Sequence, residues 1–209
     1  MIIISHRGLG FNKEQNTIEA FEKCFKNDYG IETDIRDYSG KLVVSHNIGN
    51  RDSPSVEDLF ALAGGYPLCE LAINIKADGI GELLCETLAR HGMARYFTFD
   101  MSVPQMIEYR DIGITFFSRL SEYETSPVLL DSADGVWVDF FRADSWIDND
   151  LVQGHLLSGK RVCIVSPELH KRGHMDFWHR LKEFEHDNLM LCTDYPTQAD
   201  DFFNDGGLK

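Results

Sequence analysis

At 209 residues, 43% of them hydrophobic, the chain suits one substantial core and is short for two domains, so a single domain over residues 1–209 is expected. Its formal net charge of −14 argues against nucleic acid or an anionic membrane as partner, because either would repel it in the absence of a concentrated basic patch. The best such stretch, His170-Lys171-Arg172, is diluted by Glu168 and Asp176 and reads as a solvated loop.

The first expected element is a strand over Ile2–Ser5; the apolar start Met1-Ile2-Ile3-Ile4-Ser5 is too short for a signal-peptide core and has no basic leader. A helix over Thr17–Phe25 follows, then a strand over Gly30–Arg36 and, past the Ser39-Gly40 turn, a hairpin arm over Lys41–His46. Alternation continues with helix Ser55–Ala63, strand Leu68–Lys76, helix Gly81–His91, strand Tyr96–Asp100, helix Val103–Asp111 and strand Ile114–Arg119. Pro127 interrupts the weakly patterned stretch Ser121–Asp134, which has room for only a short helix. The remaining elements are strand Gly135–Phe140, helix Asp150–Ser158, strand Arg161–Ser166, helix Asp176–Glu185, strand Leu189–Asp194 and helix Thr197–Phe203. Several helices open on Ser, Thr or Asp caps.

Eight strands alternating with helices define an α/β chain, and the expected fold is a compact TIM (β/α)8 barrel, with an open doubly wound sheet as the alternative. Eight units in 209 residues is tight, since about 250 residues is typical. Five widely spaced cysteines (Cys24, Cys69, Cys85, Cys163, Cys192) without CxxC pairing give neither a disulfide framework nor a zinc site and suit a reducing compartment. No apolar run approaches the roughly 20 residues that span a bilayer, so a soluble, cytoplasmic protein is expected. Trp137, Phe140, Phe141, Trp146 and Trp178 read as packing groups, and His170, His174, His179 and His186 as surface or structural ones.

Glu32 and Asp34 lie two residues apart in the second strand, so both side chains project from one face while Ile31, Thr33 and Ile35 face the other way. Two adjacent carboxylates repel unless a cation sits between them, and oxygen donors of this kind suit Mg²⁺ or Ca²⁺. His6 and Arg7 follow the first strand, His46 ends the hairpin arm, and Lys76 ends the third strand beside Asn74. Asp100, Arg119, Asp139, Ser166 and Asp194 close the others, which makes a polar rim at the carboxyl ends, where barrel enzymes keep their active sites. Phosphodiester cleavage needs charge neutralisation on phosphoryl oxygens, a base for the attacking hydroxyl and an acid for the leaving oxygen. Glu32 and Asp34 can hold the cation, His6 and His46 can move protons, and Arg7 and Lys76 can bind phosphate.

The ordered set His6-Arg7-Gly8, Gln15-Asn16-Thr17-Ile18-Glu19-Ala20-Phe21, Glu32-Thr33-Asp34 and His46-Asn47 resembles the glycerophosphodiester phosphodiesterase family. The similarity extends to Ile73-Asn74-Ile75-Lys76 and Thr193-Asp194-Tyr195-Pro196. The resemblance implies a TIM barrel using one divalent cation, with a substrate hydroxyl attacking phosphorus and water then opening the cyclic phosphate. It also implies Glu32, Asp34 and Asn74 as metal ligands, His6 and His46 as the acid/base pair, Arg7 and Lys76 as phosphate contacts, and Asn16 as a tie between the first loop and the site. Three acid-to-amide departures accompany it: Gln15 where the family usually has Glu, Asn47 for Asp, and Asn74 for the glutamate of the third metal ligand. The expected activity is therefore a metal-dependent hydrolysis of a small phosphodiester. One alternative is a noncatalytic or substrate-switched relative that binds a phosphorylated ligand, and another is a barrel lyase of the sphingomyelinase D or phosphatidylinositol phospholipase C kind. Neither the substrate's alcohol group nor the oligomeric state is legible.

Overall fold

The computed structural model describes residues 1–10, 14–147, 149–184 and 186–204. In chain order the elements are β1 (Ile2–His6), α1 (Ile18–Phe25), β2 (Gly30–Tyr38), β3 (Lys41–Val44), α2 (Val56–Ala63), β4 (Leu71–Ile75), α3 (Gly81–Arg90), β5 (Tyr96–Phe99) and α4 (Val103–Ile112). They continue as β6 (Phe117–Leu120), β7 (Gly135–Val138), α5 (Asn149–Leu157), β8 (Arg161–Val165), α6 (Met175–Leu181), β9 (Leu189–Thr193) and α7 (Pro196–Phe203). Set aside the β3 arm, and the strands alternate with helices as a (β/α)8 chain requires. The exception falls between β6 and β7, where turns around Ser121 and Leu129 stand in place of the expected short helix.

The residues gather into two compact units, Ser5–Phe116 and Met1–Ile4 with Phe117–Lys209. In the first, β2 pairs in parallel with β4 and β4 with β5, while β3 folds back antiparallel on β2 with Ile35 opposite Val44. In the second, β6, β7, β8 and β9 pair successively in parallel. Strands in such sheets are covered on both faces and should be apolar throughout. Leu71–Ile75, Gly135–Val138 and Leu189–Thr193 are buried at every position, as that rule demands. Helices close over them, several opening where the sequence offers a hydroxyl: Thr17, Ser55 and Ser102 accept from the backbone of Ala20, Glu57 and Gln105. All five cysteines are free thiols.

Several expected boundaries move for local reasons. The strand expected from Leu68 begins at Leu71, because Cys69 N bonds back to Tyr66 O in a turn that leaves Leu68 exposed. The strand expected from Ile114 begins at Phe117; before it, Thr115 O accepts from Thr98 N at 3.0 Å and Phe116 makes an isolated bridge with Thr98. The helix expected over 176–185 ends at Leu181 and gives way to turns; Glu185 lies outside the described residues.

The solvated-loop reading of His170-Lys171-Arg172 holds for the exposed Lys171, while His170 and Arg172 are half-buried. Pro167–His170 is a 3₁₀ turn, and the Glu168 side chain is only 6% exposed. Its carboxylate takes hydrogen bonds from Asp194 N at 3.1 Å and from the hydroxyls of Ser166 and Thr193, so the ends of β8 and β9 supply what water would have. Arg172 donates to Phe140 O and lies 5.0 Å over its ring, and His170 Nε2 is 2.6 Å from Asp139 Oδ1. Trp137, Phe140 and Trp178 are buried packing groups, as expected, whereas Phe141 is exposed.

Two glycines test this packing in opposite directions. A Cβ on Gly135 would lie 2.3 Å from Arg161 O and 2.7 Å from Phe117 Cζ, whereas one on Gly154 in α5 meets nothing within 4 Å. Gly135→Ala should destabilise the protein by about 1–3 kcal/mol through overpacking. Gly154→Ala should stabilise it by roughly 0.5–1 kcal/mol. Urea midpoints of the two variants should therefore move in opposite directions from wild type.

Candidate active site

Every candidate residue lies in the Ser5–Phe116 unit. The chain leaves β1 through Arg7 and Gly8, both left-handed at φ 57° and 86°. A side chain at Gly8 would sit 2.9 Å from the Ala20 Cβ, so glycine lets the turn press onto α1. Arg7 N donates to Glu32 O at 2.9 Å and Arg7 O accepts from Asn16 N at 2.8 Å, which locks the loop between β2 and the start of α1. On the other side Ser45 N donates to Asp34 O at 2.9 Å, so the hairpin arm delivers His46 to the same edge.

Glu32 and Asp34 are both buried, which is unusual for carboxylates unless they are paired. Asp34 is heavily paired. Its Oδ1 lies 3.1 Å from His46 Nδ1 and 3.3 Å from Lys76 Nζ; its Oδ2 accepts from Asn16 Nδ2 at 2.9 Å and faces Arg7 Nε at 3.2 Å. Asn16 in turn accepts from Thr33 Oγ1 at 3.1 Å, so it ties the first loop to the site as expected. Glu32 has the opposite setting: its Oε2 lies 3.9 Å from His6 Nε2 and has no hydrogen-bond donor among the described residues.

These surroundings split the two acids. Burial lifts the Glu32 carboxyl to about 7, reinforced by the Asp34 charge and opposed by His6, Arg7 and Lys76. Burial acts the same way on Asp34, but Arg7, Lys76 and hydrogen bonds from His46 and Asn16 hold it below the usual carboxylate range. His46 Nδ1 also lies 2.9 Å from Arg7 Nη2. The two contacts require opposite tautomers, since a protonated Nδ1 donates to Asp34 and a bare one accepts from the guanidinium. The proton on Nδ1 thus decides which partner His46 leans on.

Asn74 stands directly opposite Asp34 in the parallel register. Its Nδ2 donates to Asp100 Oδ2 at 3.1 Å, and its Oδ1 is buried without a hydrogen-bond donor among the described residues. Buried Glu32 Oε2 and Asn74 Oδ1 are therefore two oxygens in need of a partner, beside a carboxylate, and this donor chemistry fits Mg²⁺ or Ca²⁺. No group of three His, Cys, Asp or Glu side chains able to hold a metal occurs among the described residues; the third oxygen donor here is an amide. Asn47 is exposed, and its carbonyl accepts from Ser45 Oγ. Sequence reasoning gave Asp100 no partner; its place at a strand end was the available signal.

No protein-family model and no curated protein matches the sequence. Solved structures do match. A glycerophosphodiester phosphodiesterase from Parabacteroides distasonis superimposes with TM-score 0.77 at 17% identity, over 98% of this chain and 97% of that one. One from Agrobacterium tumefaciens gives 0.71 at 15% identity over 97% and 98%, and one from Thermotoga maritima 0.64 at 16% over 95% and 97%. The fold is thus the one these phosphodiesterases share, as the expected compact (β/α)8 barrel required. At such identities the likeness defines the fold, and the chemistry has to be argued from the residues. Among the described residues no helix is long and apolar enough to cross a membrane.

The raised Glu32 sets a pH test on protein kept free of divalent cations. Between about 4.5, its unfolded value, and about 7, the folded state binds more protons than the unfolded one, so stability falls as pH rises. The fall should amount to roughly 3 kcal/mol across that window. Urea midpoints with chelator present should show it in wild type and lack it in Glu32→Gln.

Proposed function

We propose that this chain is a metal-dependent phosphodiester hydrolase of the glycerophosphodiester phosphodiesterase kind, acting on a small soluble or lipid-derived phosphodiester. The observation that carries the reading is the convergence on one buried carboxylate, Asp34, of Arg7, Lys76 and His46, with the unpartnered oxygens of Glu32 and Asn74 alongside. The net charge of −14 supports a small-molecule substrate over nucleic acid, and five free thiols support a reducing, cytoplasmic setting.

Glu32, Asp34 and Asn74 are the groups that would hold Mg²⁺ or Ca²⁺, which would draw charge from the phosphoryl oxygens. Arg7 and Lys76, already gathered on Asp34, turn their remaining donors to the non-bridging oxygens. One imidazole of the His6/His46 pair accepts the proton of the substrate hydroxyl as its oxygen bonds to phosphorus. The other gives a proton to the alcohol oxygen as that P–O bond breaks, and the two exchange roles when water opens the cyclic phosphate. The partial exposure of both rings, 18% for His6 and 48% for His46, leaves them accessible to a substrate. Asp34 orients His46 through Nδ1, so Nε2 is the atom left for proton transfer.

A second reading, a relative that binds a phosphorylated ligand without turning it over, has one observation in its favour: both Asp34 oxygens already face cations or hydrogen-bond donors. Turnover separates the two. With glycerophosphodiesters, which carry the attacking hydroxyl, in excess Mg²⁺ or Ca²⁺, His6→Ala and His46→Ala should each lower kcat by about 10²–10⁴-fold with melting temperature retained. Equal rates in wild type and both variants would overturn the two-histidine mechanism. Tight binding of glycerol phosphate with no turnover by wild type would favour the second reading.

A further inference from the structure

The loss of a carboxylate at position 74 has a structural counterpart one strand further on. Asn74 pairs in register with Phe99 of β5, and Asp100 follows that residue at the strand end. Asp100 is left-handed, with φ 66°, a conformation that few residues other than glycine, asparagine and aspartate adopt. From that turn its Oδ2 accepts the Asn74 amide nitrogen at 3.1 Å. An amide has one oxygen and one nitrogen, so holding the nitrogen fixes where the oxygen goes. The oxygen so fixed, Oδ1, is the buried one that has no donor among the described residues. A buried carbonyl oxygen without a donor is destabilising, and the Asp100 carboxylate keeps the amide from turning its nitrogen there instead.

We propose that Asp100 is a positioning residue for the cation site: by holding Asn74 Nδ2 it presents Asn74 Oδ1 as a ligand atom and supplies, one shell out, the negative charge that position 74 lacks. A hydrogen bond from the amide nitrogen to a carboxylate also polarises the amide and makes its oxygen a better donor to a cation. The inference rests on the cation-assisted reading above. Asp100 touches neither substrate nor reacting atoms in this role; it acts through Asn74.

Two measurements on the full chain separate the inference from the reading beneath it. The first needs no metal: in chelator, the Asn74 side-chain NH₂ resonances should show hydrogen-bonded shifts and slowed exchange in wild type and lose both in Asp100→Ala. The second is calorimetric titration with Mg²⁺ and with Ca²⁺. Asp100→Ala should weaken binding about 10–100-fold, the range for outer-shell partners of metal ligands. Asp100→Asn, which keeps an acceptor without the charge, should fall between it and wild type. Asn74→Asp in the Asp100→Ala background should restore affinity, because a carboxylate presents an oxygen whichever way it turns. Wild-type affinity in Asp100→Ala, or no recovery in the double variant, overturns the positioning role and leaves the hydrolase reading standing. If wild type binds neither cation while the amide signature is present and depends on Asp100, the orientation of Asn74 holds and the metal-dependent reading falls. Should Asp100→Ala fail to fold, Asp100→Asn carries both measurements, and an unchanged affinity there overturns the charge contribution.

Discussion

The buried Asp34 carboxylate is the group on which the candidate site depends. An isolated carboxylate out of water costs several kcal/mol even after relaxation, so it persists only where partners replace its hydration. Here four do so, and they come from different parts of the chain: Arg7 and Asn16 from the loop after β1, His46 from the hairpin arm and Lys76 from the end of β4. Desolvation thus becomes a means of assembly. Each partner brings a nitrogen to this one carboxylate.

Glu32, two residues earlier on the same face of β2, shows what happens without those partners. Burial and the neighbouring charge push it up to about 7, while Asp34 is held down. Environments that drive two nearby acids apart mark functional ground more often than structural ground. The buried oxygens of Glu32 and Asn74 have no hydrogen-bond donor among the described residues, as is also true of some other buried polar atoms, but these two lie beside the Asp34 carboxylate. The rim of the other unit gives the contrast: the Glu168 side chain is largely covered too, but hydroxyls and a backbone N–H at the ends of β8 and β9 satisfy it, so it needs no ligand to explain it.

Fold and chemistry rest on different supports. The fold is shared with phosphodiesterases of known structure at identities where no family model matches the chain. What persists at such distance is the βα alternation and its buried apolar strands, because packing tolerates exchange among residues of similar size. At the site a neutral amide, Asn74, stands opposite Asp34, and its nitrogen donates to Asp100.

Periodicity and turn residues in the sequence were enough to place eight strands and seven helices nearly where they stand, and the strand alternation put Glu32 and Asp34 on one face. These are properties of neighbours along the chain, so they are legible there. Lone motifs such as His6-Arg7 and His46 gained meaning only as an ordered set. Tertiary structure decided the rest: that Asp34 gathers Arg7, Lys76, His46 and Asn16 while Glu32 Oε2 has no donor among the described residues, that the Glu168 side chain is largely covered, and that Asn74 donates to Asp100. Each of these depends on which distant groups replace water around a buried polar atom, and desolvation is set by the packing of the whole unit, not by the residues on either side.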